Sequence, residues 1–168
     1  MLHSNVGLRG SIKWELYGPD KKLKCSGENH NIVTTEGDEW IADQLSVATK
    51  DPMDQMVLGT GTASPDKSDS WVSGTFPNSG AAAGTAGKVS VGTTPGTASS
   101  IRYVGTFGPG YATQNSISEA IIANVTPGTS GADPGTGDVL CHALLDPVVN
   151  KGSLDELIIT WDINFLGA

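Results

Sequence analysis

Hydrophobic and polar residues alternate along the first part of the chain. Even positions between residues 6 and 16 hold apolar or small residues, and the polar residues Lys13 and Glu15 flank Trp14. A repeat of two is typical of a strand with one buried face, so this segment is predicted to be a β-strand with Trp14 in the core. A Gly-Pro-Asp turn at residues 18–20 follows, and alternation resumes after it, which predicts a β-hairpin.

The last part of the chain alternates most clearly. Apolar residues occupy one face of a predicted strand, and the positions between them are mostly polar. That face is predicted to lie in the core, and its members are Leu157, Ile159, Trp161, Ile163 and Phe165. Shorter stretches predict further strands at residues 55–58, 101–107, 117–123 and 139–145, with Asp146 and Pro147 expected to end the last of these.

One helix is predicted, at about residues 37–47. Thr35, with Asp38 three places later, matches a helix-capping pattern, and acidic residues crowd the first turn, where the helix dipole favours them. Trp40 and Leu45 fall on one face at helical spacing. The helix is therefore expected to pack Trp40 against a sheet.

Residues 70–100 are unusual because Lys88 is the only charged residue among them. Gly, Ala, Ser and Thr dominate, so the segment is predicted to be an extended loop that cannot build a core of its own. Either the loop is flexible, or it is ordered by lying on a partner protein. Its candidate interface anchors are Trp71 and Phe76, which either fold back on their own domain or fill a pocket on a neighbour. Residues 124–138, rich in Gly and Pro, predict a second surface loop.

These elements together predict a mostly β fold, an antiparallel β-sandwich or jelly-roll-like barrel with one short α-helix and long glycine-rich loops. The 168 residues suit a single β domain, residues 1–168, which buries enough surface to fold without a disulfide or metal. The 22 glycines, against about 12 at the usual frequency, agree with a turn-rich β-structure. The predicted core contains Trp14, Trp40, Leu157, Ile159, Trp161, Ile163 and Phe165.

Charge and composition make some classes of partner, such as nucleic acid and membranes, unexpected for this chain. The net charge is -8, and the basic residues are scattered rather than gathered in a stripe, so nucleic acid is not an expected partner. No apolar run approaches the length of about 18 residues that spans a membrane, and no secretion signal is recognised at the start. The chain is therefore expected to fold in a cytoplasm with Cys25 and Cys141 as free thiols.

Motifs for catalysis or metal binding are weak in this sequence. His3, His30 and His142 lack zinc-ligand spacing, and Cys141 would point to the opposite strand face from its neighbour His142. The Gly-Thr-Gly-Thr stretch at residues 59–62 lacks the lysine of a phosphate-binding loop. No nucleophile elbow or dinucleotide fingerprint is recognised. We therefore expect no metal, no cofactor and no enzymatic activity.

A series of short motifs occurs in order along the chain. They are Leu-Tyr-Gly-Pro-Asp at residues 16–20, Asn-Ile-Val-Thr-Thr-Glu-Gly at 31–37, Met-x-x-Met-x-x-Gly-x-Gly-Thr at 53–62, Tyr-Val-Gly-Thr-Phe-Gly at 103–108, Ile-Ser-Glu-Ala-Ile-Ile at 117–122, and Val-Asn-Lys-Gly followed by Leu-Ile-Ile-Thr-Trp-Asp-Ile-Asn-Phe within 149–165. With these motifs the chain resembles a family of small structural proteins of tailed bacteriophage particles, over about residues 8–165. It departs from the family at Ile121, where relatives place glycine, and after Asp69, where the uncharged loop replaces a short charged segment.

The resemblance implies a jelly-roll-like virion component without enzymatic activity. It is either a capsid cement or decoration protein over junctions of the major capsid protein, or a module of a tail, fibre or baseplate. Cement is favoured because fibre subunits usually carry coiled-coil or repeat segments. The expected partners are the capsid or tail protein and other copies of the chain, as a homo-oligomer expected to be a trimer, in a virion assembled in the host cytoplasm. A carbohydrate-binding β-sandwich module, which stacks aromatic residues on sugars, is the alternative from another class.

Overall fold

The computed structural model describes residues 7–46, 50–72, 88–95, 99–124 and 137–166. Within them the chain forms one helix and nine strands, and every strand pair is antiparallel. The helix is α1 (Thr35–Leu45), and the strands are β1 (Gly7–Tyr17), β2 (Leu23–Val33), β3 (Gln55–Gly59), β4 (Lys88–Ser90), β5 (Gly92–Pro95), β6 (Ser100–Phe107), β7 (Gln114–Ala123), β8 (Val139–Lys151) and β9 (Glu156–Leu166).

The strands form one curled sheet in the order β4-β3-β7-β8-β2-β1-β9-β6-β5. Only Val91 separates β4, which pairs with β3, from β5, which pairs with β6. Residues 88–95 therefore connect the two ends of the strand order. Among the described residues, β2 pairs with β8 only at Ile32 and Val33, so the rest of its β8-facing edge is not strand-paired. The predicted fold class, a mostly β antiparallel sandwich or barrel with one short helix, is confirmed.

The core lies between two layers of this sheet. The β1 layer consists of β2, β1, β9, β6 and β5, and the β7 layer consists of β8, β7, β3 and β4. Trp14 on β1 and Trp161 on β9 are fully buried and pack with Met56 of β3 and Ile122 of β7. Each large side chain that is buried in this way contributes about 1.5–3 kcal/mol.

The predicted core residues do not all lie at its centre. Trp14, Leu157, Ile159, Trp161 and Ile163 are buried. Phe165 is partly exposed near the end of β9. Trp40 of α1 is also partly exposed, at the margin of the core, and its indole N–H donates to the carbonyl of Asp51 at 3.0 Å.

The helix cap lies one residue earlier than predicted, and the helix begins at Thr35 rather than at about residue 37. Thr34, rather than Thr35, is the N-cap, and its Oγ1 accepts a hydrogen bond from the Gly37 amide at 3.0 Å. Gly37 lies so close to β8 that a Cβ atom on it would be 2.3 Å from the carbonyl oxygen of Leu140. Leu45, predicted on the packed face, is 84% exposed, whereas Gly37 near the start of α1 is buried. The helix ends at Leu45, and residue 47 lies outside the described residues.

The segment at residues 70–100 is not a loop along its whole length. Its described part includes β4 and β5, and Val91 between them is buried. The prediction missed these strands because Gly, Thr and Ser can pair through the backbone without showing side-chain alternation. Residues 73–87 and 96–98 lie outside the described part, as does the stretch 125–136 of the second predicted loop.

Strand β8 is longer than predicted. It continues through Asp146 and Pro147 to Lys151, although this pair was expected to end it. The β7–β8 register shifts between Ile117 and Glu119, and Asp146 and Pro147 are exposed. A proline lacks the amide N–H that strand pairing needs. Strands therefore tolerate proline at irregularities of the hydrogen-bond ladder such as this register shift.

Candidate functional site

Residues 60–72 form a strap over the outer face of the β7 layer. Near its start, the Gly61 amide donates to Oε1 of Glu119 at 2.7 Å, and the Ser118 hydroxyl donates to the Gly61 carbonyl at 2.6 Å. Further along, the Lys67 carbonyl accepts a hydrogen bond from the Thr35 amide of α1 at 2.8 Å. The strap is thus fastened to both β7 and α1.

The strap covers an apolar floor made of Val57, Ile121, Ala123 and Val139, all buried. These side chains point away from the main core, because alternate residues of a strand face opposite sides of the sheet. Val72 and the partly exposed Trp71 pack on this floor. The outer face of the β7 layer therefore forms a second, smaller hydrophobic cluster.

A buried histidine lies beside this floor. His142 is the register partner of Ile121, and almost none of its surface is exposed. Its Nδ1 is 2.6 Å from Oδ2 of Asp69 in the strap, and its Nε2 is 3.0 Å from Oε2 of Glu119. Glu119 is fully buried, whereas the Asp69 side chain is 26% exposed.

The pKa of His142 reflects opposing effects. Burial by itself lowers this pKa, but hydrogen bonds and charge interactions with Glu119 and Asp69 outweigh burial, so the pKa lies above its ordinary value. The neutral imidazole donates one hydrogen bond and the protonated imidazole donates two. Contact of both ring nitrogens with carboxylates therefore indicates a protonated His142.

Neither cysteine joins this cluster. Cys141 faces the core and His142 faces the strap, as strand alternation predicts. Burial raises the pKa of both the Cys141 and the Cys25 thiol, and both thiols are free. Within the part of the chain that the structure describes, no cluster of His, Cys, Asp or Glu has an arrangement suited to a metal ion.

Of the two predicted interface anchors, Trp71 and Phe76, the structure describes only Trp71. Trp71 packs against the floor of its own domain, which is one of the two alternatives that the sequence left open. Among the described residues its indole N–H has no hydrogen-bond partner. Phe76 lies outside the described residues.

A polar groove of about 500 Å³ lies on the outer face of the β1 layer. It is crossed by the ion pair of Arg102 on β6 with Asp162 on β9, in which the guanidinium Nε and Nη2 each donate to a carboxylate oxygen at 2.7 Å. Lys13 and Glu15 on β1 form a second pair at 3.0 Å. The charged side chains of the groove are thus largely engaged with each other.

Three turns meet at one end of the molecule, which we call the turn end. They are the β1–β2 turn, residues 18–22, the β6–β7 turn, residues 108–113, and the β8–β9 turn, residues 152–155. The Gly110 amide donates to the Ser153 carbonyl at 2.8 Å, and Lys21 lies 3.3 Å from Glu156. These contacts join the three turns.

Buried charged groups hold the turn end together. Lys151 is almost fully buried, and its Nζ donates to the Gly108 carbonyl at 2.9 Å. Burial lowers the pKa of Lys151, with the charges of Asp155 and Glu156 acting in the opposite direction. Asp155 in turn accepts hydrogen bonds from Lys24 at 2.7 Å and from the Gly152 amide at 2.9 Å.

The turn end also exposes large apolar side chains. Leu154 is 64% exposed, Leu23 is 52% exposed and Tyr111 is 42% exposed. Each lies in one of the joined turns or directly beside it. Exposed apolar side chains that are gathered in one place and held by fixed backbone are typical of a protein–protein contact.

The sequence did not reveal either the His142 cluster or the buried Lys151. Both depend on contacts between residues far apart in the chain, such as Asp69 with His142. One usable signal was Glu119, a charged residue within the apolar stretch of β7. A charge at such a position is usually buried with a partner.

Comparison of the chain with protein-family models, with curated proteins and with solved structures finds no match. Among the described residues, no helix is long and apolar enough to cross a membrane.

Proposed function

We propose that this chain is a non-enzymatic structural protein of a tailed bacteriophage particle. Its role is that of a capsid decoration protein, which stabilises junctions of the major capsid protein. It acts on the virion as a homo-oligomer, a trimer, and attaches through the turn end. A tail, fibre or baseplate position is the alternative placement within the same class.

The observation that carries this proposal is the convergence of sequence motifs at the turn end. The motifs at residues 16–20, 103–108 and 149–165 support the resemblance to phage structural proteins and lie far apart in sequence. Lys151 and Gly108, from two of them, are hydrogen bonded, and Tyr17 of the third is the register partner of Glu156. Three of the six motifs thus meet at the turn end, and they also contribute buried residues such as Phe107 and Trp161 to the core.

The physical chemistry of the turn end suits attachment. Ordering flexible residues on binding weakens an interaction, and the hydrogen bonds between these turns remove most of that cost beforehand. Leu154 and Tyr111 supply apolar area, which favours association by about 25 cal/mol for each Å² removed from water. Attachment of this kind is less sensitive to salt than attachment by exposed ion pairs.

The distribution of aromatic residues does not favour the carbohydrate-binding alternative. Trp14, Trp161 and Tyr103 are buried, and Trp40 and Trp71 pack against hydrophobic clusters. Of the Trp and Tyr side chains, Tyr111 alone is exposed beyond a third of its surface. A sugar-binding face usually presents several aromatic rings together.

Attachment is tested with a matched pair of leucine substitutions. Particles of the encoding phage that lack the protein are incubated with purified Leu154→Asp or Leu45→Asp, and bound protein is measured at low and high salt. Leu45 is more exposed than Leu154 and lies on α1, which packs beside the Val139 end of β8, away from the turn end. Both variants should keep the wild-type melting temperature.

We expect Leu154→Asp to weaken attachment about tenfold or more, because a charge replaces an exposed apolar side chain that the proposed contact would bury. Leu45→Asp should attach like the wild type. Equal attachment of the two variants would remove the turn end from the proposal, and failure of the wild-type protein to attach to any particle would overturn the proposed function itself.

A further inference from the structure

We propose that Asp69, His142 and Glu119 form a pH-operated latch that holds the strap against the apolar floor. Protonated His142 fastens the strap, and loss of its proton releases Asp69 and the strap residues next to it. The proposal rests on the geometry of the cluster and is independent of the proposed function.

The hydrogen bonds fix which groups carry charge in the closed state. Oε1 of Glu119 accepts a hydrogen bond from the Gly61 amide at 2.7 Å, and its Oε2 lies 3.0 Å from Nε2 of His142. Oδ2 of Asp69 accepts a hydrogen bond from the Asp66 amide at 2.7 Å and lies 2.6 Å from Nδ1 of His142. Two accepting carboxylates require a donor at each ring nitrogen, and only the imidazolium supplies both.

The described register partners of His142 and the nearby charged side chains of α1 and the strap have partners or positions of their own. On the β2 side the register partner is the uncharged Ile32, and on the β7 side it is Ile121. Glu36 of α1 accepts from the Val139 amide at 2.9 Å, and Lys67 of the strap is paired with Asp38 of α1. Among the described residues, the proton of His142 is therefore the positive charge that lies directly between the two carboxylates.

The two carboxylates differ in how easily their contact with His142 can be broken. Glu119 is fully buried and is also held by Gly61, so breaking its contact would strand a charge inside the protein. Asp69 is partly exposed, and water can replace its hydrogen bond. A neutral His142 keeps one N–H, which remains with Glu119, and its lone pair then faces the Asp69 carboxylate.

Release of Asp69 loosens the part of the strap that covers the floor. Trp71 and Val72 lie two and three residues after Asp69 and pack with Val57 and Ile121 of the floor. The start of the strap stays fastened, because Gly61 contacts β7 through bonds that do not involve His142. Opening therefore exposes an apolar surface on the β7 layer while the sheet beneath remains intact.

Amide hydrogen exchange of the full chain, read by mass spectrometry from about pH 6 to pH 9, tests the latch. Rates are divided by the intrinsic chemical rate at each pH, which leaves the protection of each segment. We expect protection of residues 66–72 to fall about tenfold or more as His142 deprotonates, because a charge-assisted hydrogen bond is lost. Protection of β9 should not change.

Asp69→Asn and Asp66→Asn form a matched pair of variants. Both remove one strap carboxylate, but Asp66 contacts Ser68 and not His142. Asp69→Asn should show low strap protection at every pH, whereas Asp66→Asn should keep the pH-dependent profile. The imidazole signals of His142, distinguished from those of His3 and His30 by His3→Gln and His30→Gln variants, should titrate over the same pH range as strap opening.

Two results overturn the latch. One is strap protection in the wild type that does not change with pH while the His142 signals titrate. The other is loss of β9 protection in step with the strap, which indicates unfolding of the whole domain. The protection that decides both results is read on the wild-type chain, and variants serve only to assign the histidine signals.

Discussion

Trp161 and Asn31 are hydrogen bonded across a strand that lies between them. The Trp161 indole N–H on β9 donates to Oδ1 of Asn31 on β2 at 3.2 Å, and β1 separates these strands in the sheet. The bond passes over Gly10 of β1, whose register partners are Asn31 on one side and Ile163 on the other. The absence of a side chain at Gly10 leaves the space that Asn31 occupies.

Trp161→Ala should lower the free energy of unfolding by about 3–5 kcal/mol, because it leaves a large cavity in the centre of the core. Trp161→Phe is the matched control, since it keeps a ring and loses the N–H donor, and should cost about 1–2 kcal/mol. Chemical denaturation followed by circular dichroism measures both. An unchanged midpoint for Trp161→Ala would mean that this face of β9 is not the core face.

Gly10→Ala should destabilise the protein by about 1–3 kcal/mol, because the added methyl group overpacks the core face. A Cβ atom there would lie 1.7 Å from Oδ1 of Asn31 and would push it away from Trp161. Gly7→Ala on the same strand has open space around the added atom and should be close to neutral. Equal thermal shifts for the two variants would contradict the close approach at Gly10.

Side-chain alternation predicted the strands that have one core face and one polar face. β1 and β9 are of this kind, and their core rows pair in register, Ile12 with Trp161 and Trp14 with Ile159. β4 and β5 escaped prediction because backbone pairing, rather than side-chain burial, places them. Thr93 and Thr94, for example, are exposed in a strand that helps to close the sheet.

Prediction of the candidate site from sequence was weaker for a physical reason. A hydrophobic repeat is local, whereas the latch depends on Asp69, Glu119 and His142 from separate parts of the chain. In the sequence, His142 was considered for zinc binding with His3 and His30 and with its neighbour Cys141, which faces the opposite side of β8. Pairing of β7 with β8 brings Glu119 near His142, and that pairing was not derivable from local pattern.

The free energy of unfolding should depend on pH through His142. Its pKa is raised in the folded state, so the folded chain holds the proton more tightly than the unfolded chain does. This stabilisation is fully present below the unfolded pKa of about 6.5 and is lost as the pH rises through the folded pKa. Urea denaturation at a series of pH values should show the decline in the wild type and a smaller one in Asp69→Asn. A rise in stability over the same range would contradict the sign.

The proposed assembly predicts contact between copies of the chain on the particle. Because the proposed attachment uses the turn end, we expect copies to contact one another through faces and turns, arranged around a symmetry axis. Electron cryomicroscopy of decorated particles should show symmetric clusters, expected to be trimers. Isolated copies without mutual contact would contradict the homo-oligomer, although weak association of the free protein would not.

The copy number of the chain in purified virions tests the central claim most directly. Quantitative mass spectrometry against isotope-labelled peptides gives this number relative to the major capsid protein. A decoration protein that follows capsid symmetry should be present in copies on the order of hundreds for each particle. About a dozen copies or fewer would indicate a tail position instead, and absence from purified particles would contradict a structural role in the virion.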